Sequence, residues 1–535
     1  MIAMSDFFHG LNNSQKEAVR AVDGPALVVA GPGTGKTLTI CRRIAYLISQ
    51  GIRPENILAA TFTNRAAREM RKRVESLLGR HAEKLFIGTF HLFGLRIIQD
   101  SFPDNFVIYN RDEQIELIRR LVKGSGMKAH QIVERISRIK NLMEEADDGI
   151  KGIYEDYQSN LKKNSAFDFD DLILKPIELF GNSEILAKYR DTFKYIIVDE
   201  YQDINPAQYR LLRLLAGNEG DICAVGDSDQ AVYAFRGADI TNFLNFEKDF
   251  KDAKRITLTV NYRSTGVILN ASNSMIKNNQ NRIDKEVCTT RLQGNTITLI
   301  SVPDEKAEGE FIVREIETRI GGTSHYQLLH ANGANDFSGE SYSFSDFAVL
   351  FRTNAQAQAI EEAFATSGIP YQVIGKGASQ QSKEIEDTIS YMKSIIKPSE
   401  DIAASEQASL EEKLLTPADI FDPRADAVAL LTMHMAKGLE FKVVFIAGVE
   451  EEIIPYTLKK DNVDIEEERR LFYVGMTRAR EELFLLYARN RFLYGQRLRQ
   501  MPSPFLREIP EGLIQERVIP DRMIRQKKDN QIGLF

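Results

Sequence analysis

Two short stretches of this sequence combine residue types that act on phosphate groups. The first, residues 31–37, reads Gly-Pro-Gly-Thr-Gly-Lys-Thr and follows an apolar run. In a loop of this kind backbone N–H groups line a triphosphate, Lys36 reaches its outer phosphates, and Thr37 offers its hydroxyl to Mg²⁺. The sequence therefore predicts a nucleoside triphosphate site that consists of Gly31, Pro32, Gly33, Thr34, Gly35, Lys36 and Thr37.

The second stretch is the acidic pair Asp199-Glu200, which ends the apolar run at residues 195–198. An acidic pair at a strand end is most often an ordinary turn, but a phosphate loop in the same chain favours catalysis. We expect Asp199 to hold Mg²⁺ and Glu200 to orient and deprotonate the attacking water. Gln230 follows the next apolar run, and its neutral amide is placed to sense the γ-phosphate.

Two arginine-containing stretches come later in the chain, where the sequence shows no second phosphate loop. Arg263 lies in Asn-Tyr-Arg-Ser at residues 261–264, and Arg478 lies in a stretch with several arginines at 469–480. Arginine stabilises the charge that develops on a transferred phosphoryl group, so a second domain with these residues would complete the nucleotide site. A solvated helix face is the alternative interpretation, and it suits Arg469 and Arg480 better than Arg478.

Apolar runs and amphipathic stretches alternate along the chain, which is the pattern of a parallel sheet covered by helices. The alternation is interrupted between residues 110 and 161 by charged helical stretches without strands. It then resumes, and we place the start of a second alternating block near residues 255–259. The predicted fold is therefore α/β, with two parallel sheets of the P-loop type and a small helical insertion in the first.

The composition limits the classes of function. The chain has 535 residues, of which 43% are apolar and 27% charged, as in soluble globular proteins. A net charge of −7 argues against broad electrostatic adhesion to nucleic acid or membrane, so any DNA-binding surface must be local. We see no apolar run of membrane-spanning length and no export signal. Three cysteines lie far apart and predict no metal site, which suits a reducing cytoplasm.

Together these motifs resemble those of the UvrD, Rep and PcrA helicases of superfamily one. The resemblance implies two RecA-like motor domains, ATP as the nucleotide, and translocation along single-stranded DNA in the 3′ to 5′ direction with duplex unwinding. It also implies a monomer that acts on single strands and on junctions with duplex. The matching motifs, in chain order, are Leu11-Asn12 with Gln15, residues 30–37, Thr61-Phe62-Thr63-Asn64, Gly88-Thr89-Phe90-His91, residues 198–203, residues 226–230, Asn261-Tyr262-Arg263-Ser264, residues 434–441 and residues 473–479.

Further residues take their expected roles from this resemblance. Gln15 looks like the glutamine that reads adenine, Tyr262 like the residue that stacks on the base, and Glu440 like the residue that contacts the ribose. Arg263 and Arg478 look like the two arginine fingers. The positions that match the DNA-binding groove are Phe62, Thr63, Asn64, His91, Tyr233, Phe235, Arg236 and His434.

The expected domain organisation follows the same resemblance. Motor domain one covers residues 1–101 and 166–260, and the helical insertion occupies 102–165. Motor domain two covers residues 261–397 and 427–510. A short linker at 398–426 and a C-terminal tail at 511–535 complete the chain.

The sequence departs from the family at two places. Phe235 stands where close relatives have a tryptophan, so we expect base stacking on a smaller ring. Residues 398–426 stand where relatives insert a whole helical domain, and so short a stretch cannot bury a core of its own. We therefore expect an intact motor with weakened coupling to duplex opening. The alternative function is a clamp-tethered translocase that displaces proteins from single strands without efficient unwinding.

The chain ends in Gln-Ile-Gly-Leu-Phe after a polar, basic tail. A glutamine followed by two large apolar residues resembles the short peptides that dock in the groove of a bacterial sliding clamp. Gln531, Leu534 and Phe535 are therefore the candidate clamp-binding residues. Packing of this tail on the motor itself is the alternative.

Overall fold

A six-stranded parallel sheet forms the centre of the first part of the chain. The strands lie in the order β3-β2-β6-β7-β1-β8, and every neighbouring pair is parallel. Helices cover both faces, so the central strands are buried along their length and consist almost wholly of Val, Ile, Leu and Ala. The strands are β1 (Ala26–Ala30), β2 (Ile57–Thr61), β3 (Phe86–Thr89), β6 (Tyr195–Val198), β7 (Asp221–Gly226) and β8 (Lys254–Leu258).

Successive residues of each strand point to opposite faces of this sheet, which gives two separate hydrophobic clusters. Leu27 and Val29 belong to one cluster, whereas Ala26, Val28 and Ala30 belong to the other. The helices associated with this sheet are α1 (Asn13–Arg20), α2 (Lys36–Ser49), α3 (Asn64–Leu78), α4 (Phe90–Ser101), α8 (Asp171–Leu179), α9 (Ser183–Thr192), α10 (Pro206–Ala216), α11 (Thr241–Leu244) and α12 (Phe246–Asp249).

A group of helices interrupts the alternation of strand and helix in the first part of the chain. Its helices surround a hydrophobic cluster of their own, with Ile118, Ile136 and Leu161 among the buried residues. Two short strands, β4 and β5, pair in parallel where the insertion begins and ends. The elements of the insertion are β4 (Val107–Ile108), α5 (Arg111–Leu121), α6 (Ala129–Leu142), α7 (Lys151–Lys163) and β5 (Ala166–Phe167).

A second, larger sheet organises the rest of the chain. Its order is β13-β14-β12-β15-β16-β11-β18, all parallel, and β17 is added antiparallel to β16. Its strands are β11 (Ile297–Asp304), β12 (Phe347–Phe351), β13 (Tyr371–Val373), β14 (Val428–Thr432), β15 (Phe441–Ile446), β16 (Ala479–Leu493), β17 (Gln496–Arg499) and β18 (Ile514–Val518).

Four longer helices accompany this second sheet within the described ranges. A separate two-stranded pair, β9 (Val260–Asn261) with β10 (Cys288–Thr289), is also parallel. The hydrophobic cluster of this region includes Val349, Leu430 and Phe445, one residue from each of three neighbouring strands. The helices are α13 (Gly266–Ile276), α14 (Glu305–Ile320), α15 (Asn354–Ser367) and α16 (Ile465–Met476).

The computed structural model describes residues 7–82, 84–102, 106–123, 126–218, 220–321, 342–374, 421–422, 424–458 and 463–520. These residues form two compact units. Unit 1 contains the described residues up to Thr259 together with Arg282–Glu286, and unit 2 contains Val260–Asn281 and the described residues from Val287 onward. The predicted linker at 398–426 lies mostly outside the described residues.

One strand was assigned to the wrong sheet by the sequence pattern. The alternating pattern predicts that residues 255–259 open the second block, although the domain bounds expected from the resemblance include them in motor domain one. The strand β8 in fact pairs with β1 and forms the edge of the first sheet. The reason is that an apolar run predicts a strand without saying which sheet the strand joins. In the ranges that the structure describes, no helix combines the length and apolar composition needed to cross a bilayer.

Candidate functional site

The phosphate loop of unit 1 connects β1 to α2, and two glycines determine its shape. Gly33 and Gly35 have φ values of 68° and 83°, which residues with a side chain disfavour. A Cβ atom at position 35 would also lie only 2.7 Å from Nε2 of Gln15. Because Gly35 precedes α2 and has no side chain to cap it, the first N–H groups of α2 remain available as donors to phosphate.

Side chains of the loop itself hold it in this conformation. The Lys36 ammonium donates to the Ala30 carbonyl at 3.2 Å, and the Thr34 hydroxyl donates to the Gly31 carbonyl at 2.8 Å. Lys36 therefore folds back over the strand end from which the loop starts. When a triphosphate binds, its charged oxygens would replace the neutral Ala30 carbonyl as the hydrogen-bond partner of the Lys36 ammonium group.

Gln15 is buried against the phosphate loop. Its Nε2 donates to the Thr34 carbonyl at 2.9 Å. Its Oε1 accepts from the Asn12 N–H at 3.0 Å, as part of a capping box at the start of α1. The expected role of Gln15 in reading adenine stays a prediction, and the structure shows that the same amide supports the loop.

The acidic pair lies at the same edge of the sheet as the phosphate loop, because β1, β7 and β6 are successive parallel strands. Asp199 is buried, and its N–H donates to the Ala60 carbonyl at 2.9 Å, which continues the pairing of β6 with β2. Glu200 has φ 51° and ψ 43°, a left-handed conformation that costs a non-glycine residue about 1 kcal/mol. Such strain at the end of a buried strand is typical of functional positions.

Gln202 connects the acidic pair to the loop that follows β7. Its Nε2 donates to Glu200 at 2.5 Å, and its Oε1 accepts from the Asp227 N–H at 2.9 Å. A Cβ atom at Gly226 would lie 2.3 Å from that Oε1, so a side chain at position 226 would displace the amide. The orientation of the Glu200 carboxylate is thereby coupled to the conformation of the next loop.

That next loop, residues 227–230, is buried throughout, and we call it the sensor loop. Gln230 donates from Nε2 to Oδ2 of Asp227 at 2.6 Å. Burial raises the pKa of Asp227, but the charges of Lys285 and Lys36 outweigh this effect and hold the pKa below its usual value. Asp227 is therefore an ionised carboxylate close enough to respond to Lys36, and it orients the amide of Gln230.

Arg263 and Arg478 lie on either side of Thr477 in unit 2. Arg263 donates from Nη1 to the Thr477 carbonyl at 3.4 Å, and Arg478 donates from Nη2 to the Thr477 hydroxyl at 3.0 Å. Arg478 is buried and also donates to the carbonyls of Val474 and Leu439, at 2.8 and 3.2 Å. Because three backbone or hydroxyl oxygens fix its guanidinium, Arg478 is a rigidly placed positive charge.

Glu440 sits beside these arginines and accepts from Arg263 at 2.7 Å. Burial raises its pKa, but the charges of Arg263, Arg480 and Arg478 outweigh burial and lower the pKa overall. Tyr262, the expected base-stacking residue, is 46% exposed. An exposed aromatic face is suited to stacking on a nucleotide base, and the role of Tyr262 stays a prediction.

Aromatic residues of the predicted DNA groove form a cluster in unit 1. Phe62 and Tyr233 stack with centroids 5.1 Å apart and planes 14° from parallel, and Tyr233 contacts Phe235 at 6.0 Å. The Arg236 guanidinium lies 5.3 Å from the Tyr233 ring centroid and 5.7 Å from that of Phe235. Phe235 is 56% exposed, so this cluster is a surface feature and not core packing. It has the composition of a stacking platform for bases.

The other predicted DNA contacts have structural roles as well. The Thr63 hydroxyl accepts from the Ala66 N–H at 3.1 Å and caps α3, whose first residue is Asn64. His91 stacks on Phe169 at 3.9 Å, and burial lowers its pKa to about 3, so it is neutral at physiological pH. His434 lies in the turn between β14 and β15 in unit 2. The candidate clamp-binding residues Gln531, Leu534 and Phe535 lie outside the described residues.

Sequence reasoning missed four residues that organise this site. Gln202 and Asp227 lie within recognised motifs, but their residue types alone did not reveal that they form hydrogen bonds between Glu200 and Gln230. Arg282 and Lys285 bind the sensor loop, yet they occur in a polar stretch whose composition is typical of a solvated surface segment. A single sequence contains no signal that distinguishes them from surface charges.

The fold and site define the class of protein. Unit 1 has a phosphate loop, an acidic pair and a sensor loop on one edge of a parallel sheet, and unit 2 repeats the sheet. These are the features of a two-domain, RecA-like, nucleotide-driven motor. The predicted α/β class with two such parallel-sheet units is confirmed.

Comparisons with known proteins identify the family. The sequence profile of the UvrD/REP helicase N-terminal domain matches residues 11–251, and that of the UvrD-like helicase C-terminal domain matches residues 256–413 and 404–490. The ATP-dependent DNA helicase PcrA of Staphylococcus aureus is 32% identical over 671 residues, which cover 98% of this chain and 90% of that protein. PcrA of Staphylococcus epidermidis is 33% identical over 657 residues, with 96% and 88% covered. The chain belongs to the UvrD/REP helicase family, whose members are ATP-dependent DNA helicases.

The alignment with the Staphylococcus aureus protein is longer than this chain, 671 positions against 535 residues. The relative therefore contains segments that this chain lacks.

Proposed function

We propose that this helicase hydrolyses ATP, with Mg²⁺, to move along single-stranded DNA in the 3′ to 5′ direction. The observation that supports hydrolysis most directly is the chain of hydrogen bonds from Glu200 through Gln202 to Asp227 and Gln230. This chain connects the residue proposed to activate water with the residue proposed to sense the γ-phosphate. Binding of a nucleotide alone would not need such a connection.

The residues at the edge of the first sheet fit Mg²⁺. A buried carboxylate at Asp199 and a hydroxyl at Thr37 are hard oxygen ligands, the kind that this ion prefers. When bound, the ion neutralises charge on the phosphates. The chain itself then has three tasks: Lys36 binds the outer phosphates, Glu200 takes a proton from the attacking water, and Gln230 orients toward the γ-phosphate.

Arg263 and Arg478 are proposed to act as arginine fingers on the same triphosphate. This proposal is supported by the hydrogen bonds of the two guanidinium groups, because each donates to Thr477. Unit 2 has a complete parallel sheet but no glycine-rich phosphate loop among its described residues, so a catalytic use for these arginines requires a nucleotide bound elsewhere. Glu440 and Tyr262 are proposed to contact the ribose and the base.

The DNA strand is proposed to contact the aromatic cluster of Phe62, Tyr233 and Phe235 with Arg236, together with Thr63, Asn64, His91 and His434. Stacking on aromatic faces is tolerant of sequence, which suits a motor that must move over any strand. The neutrality of His91 means that this residue binds by stacking or hydrogen bonding, not by charge.

A second candidate function is supported by the length of the alignment, which shows that this chain lacks segments of its relative. Residues 398–426 are too few for the duplex-contacting domain that we expected relatives to insert there. In this alternative the motor displaces proteins from single strands and opens duplexes poorly. We propose further that the protein is a cytoplasmic monomer that acts at single/double-strand junctions, and that Gln531, Leu534 and Phe535 bind a sliding clamp.

The experiment that tests these proposals measures ATPase activity with and without single-stranded DNA, and strand displacement on forks of both polarities. We expect DNA to stimulate hydrolysis and only the 3′-tailed fork to be opened. Efficient translocation with little strand displacement would favour the second candidate. Unstimulated hydrolysis, or opening of the 5′-tailed fork alone, would contradict the first.

The arginine assignment has its own test. Arg263→Ala should lower kcat for DNA-stimulated hydrolysis by about 10²–10³-fold, because the charge that it stabilises develops only in the transition state. The matched control is Arg480→Ala, which removes a partly exposed arginine 3.7 Å from the same Glu440. Equal effects of the two substitutions would show that Arg263 acts only through Glu440.

A further inference from the structure

A short piece of chain crosses from one unit to the other and back. Residues up to Asn281 belong to unit 2, Arg282–Glu286 belong to unit 1, and the chain returns to unit 2 at Val287. We call Arg282–Glu286 the crossing segment. Each of its ends is covalently continuous with unit 2, so its position in unit 1 needs an explanation in terms of what it binds there.

The crossing segment binds the sensor loop almost residue by residue. Arg282 donates from Nε and Nη2 to the two oxygens of Asp229, both at 2.9 Å. The Ile283 N–H donates to the Ser228 hydroxyl at 3.1 Å. The next cation in the segment, Lys285, donates to Oδ1 of Asp227 at 2.5 Å and also to Asp229.

These contacts are buried and ionic. The side chains of Lys285 and Arg282 are 1% and 6% exposed, and those of Asp227 and Asp229 are 0% and 1% exposed. Burying paired charges contributes little net stability compared with apolar packing of the same volume. What a fully paired cluster does provide is a defined geometry, and here the group whose geometry it defines is Asp227.

Asp227 is shared between the crossing segment and Gln230. Lys285 holds Oδ1, and Gln230 donates to Oδ2 at 2.6 Å. If the Gln230 amide moves toward a γ-phosphate, this bond weakens, and the carboxylate then depends more strongly on its cationic partner. The position of Lys285 and the orientation of Gln230 are therefore linked through one carboxylate.

The residues just before the crossing segment are anchored in unit 2 on helix α16. The Glu466 carboxylate accepts from the N–H groups of Gln280 and Asn281, at 2.6 and 3.2 Å. Arg470, one turn further along α16, donates to the Asn281 carbonyl at 3.2 Å. Helix α16 ends at Met476, two residues before Arg478.

We propose that Arg282 and Lys285 are positioning residues for ATP hydrolysis, and that the crossing segment couples the sensor loop to the helix that leads to Arg478. This inference rests on the roles proposed above for Gln230 and Arg478. One peptide binds Asp227 and Asp229 at one end and follows directly from residues bound to Glu466 at the other. A change in the orientation of Gln230 at the γ-phosphate would thereby reach helix α16 through the backbone that joins Lys285 to Gln280.

The test is a double-substitution cycle on the full chain. Lys285→Met removes the charge and keeps the length of the side chain, and Glu466→Gln weakens the anchor on α16. We expect each to lower kcat of DNA-stimulated ATP hydrolysis, Lys285→Met by at least about tenfold, with KM for ATP changed less than about threefold. In the double variant kcat should fall no further than in Lys285→Met, because both act along one path. Lys285→Arg should restore most of the activity.

The controls separate coupling from folding. Lys277→Met makes the same substitution at an exposed lysine of unit 2 outside the crossing segment, and it should leave kcat unchanged. If Lys285→Met does not fold, as judged by circular dichroism, Arg282→Lys replaces it in the cycle, since lysine keeps the charge but not the two parallel hydrogen bonds. Multiplicative effects in the double variant, or an equal loss in kcat and ATP affinity, would overturn the inference.

The outcome also distinguishes this inference from the proposed function. If the unaltered chain shows no DNA-stimulated hydrolysis, the proposed function fails first. If the unaltered chain is active and the cycle shows independent effects, only the coupling through the crossing segment is wrong.

Discussion

In each sheet, the strand next to one edge strand leads into a long helix. Only the junction in unit 1 is suited to binding phosphate. β1 lies between β7 and the edge strand β8, and β11 lies between β16 and the edge strand β18. Each is parallel to both neighbours and leads into a long helix, α2 after β1 and α14 after β11. The backbone architecture therefore does not explain why, among the described residues, only those of unit 1 form a nucleotide loop.

The difference lies in how the first N–H groups of each helix are used. Gly35 precedes α2, and the first turn of α2 contains no acidic residue. Before α14, the Asp304 carboxylate accepts from the Ala307 N–H at 3.0 Å, and Glu305 and Glu308 lie in the first turn. A helix N-terminus attracts negative charge. Carboxylates of the chain itself supply this negative charge at the start of α14. The start of α2 has none, so the phosphates of a ligand can supply it.

A buried arginine supports the acidic start of α14. Arg491 donates to Glu308 at 2.8 Å and to Glu450 at 2.6 Å, and all three side chains are buried. In unit 1 the cation near the corresponding junction is Lys36, which belongs to the loop and makes a hydrogen bond to a neutral carbonyl. We infer from this comparison that a few side chains determine whether a strand–helix junction of this fold can bind an anion or carries its own carboxylates.

Of the substitutions at the two junctions, Lys36→Ala in unit 1 is expected to have the largest effect on hydrolysis. Loss of the ammonium group should reduce DNA-stimulated ATP hydrolysis by about 10²-fold or more, since the charge on the outer phosphates is then left without its lysine partner. The measurement is steady-state hydrolysis at saturating ATP. The matched control is Lys306→Ala, which removes a lysine from the first turn of α14 and should not change kcat. Comparable losses in both variants would break the comparison between the two junctions.

The largest effect on stability is expected from Arg491→Met in unit 2. Removing one member of a buried ionic cluster leaves uncompensated charge, which typically costs about 3–5 kcal/mol of stability. Urea unfolding measures the loss, with Arg497→Met on the exposed strand β17 as the control. Hydrolysis in the folded protein should change much less than stability, in contrast to Lys36→Ala.

The same variant has a predictable pH dependence. In the unaltered chain burial raises the pKa of Glu308, Arg491 opposes this effect, and Glu450 adds to it. A carboxyl whose pKa is higher in the folded than in the unfolded state binds protons on folding, so its contribution favours the folded state as pH falls. Without Arg491 the Glu308 carboxyl should protonate more readily, and the defect should be smaller at pH 5 than at pH 8. A defect of equal size at the two pH values would show that Arg491 acts by packing alone, and a defect that grows on acidification would contradict the prediction.

Much of the fold was predictable because parallel strands buried on both faces appear as continuous apolar runs. The bounds of β1, β12 and β14 coincide with those runs. The assignment of β8 failed because pairing between strands is decided by contacts far apart in the sequence. The left-handed backbone of Glu200 and the burial of Lys285 were equally hidden, since both depend on neighbours that only the folded chain provides.

The smallest effect is expected at the cap of α14. Asp304→Ala removes the acceptor for the Ala307 N–H and should cost about 1 kcal/mol of stability, the usual value of an N-cap. Asp304→Ser is the matched control, because it keeps an acceptor oxygen and removes the charge, and it should recover most of the loss. If stability is unchanged in Asp304→Ala, then the start of α14 is stabilised by the charges of Glu305 and Glu308 and not by a hydrogen-bonded cap. Their carboxylates would then be what distinguishes this junction from that of α2, and Glu305→Gln would be the substitution that weakens it.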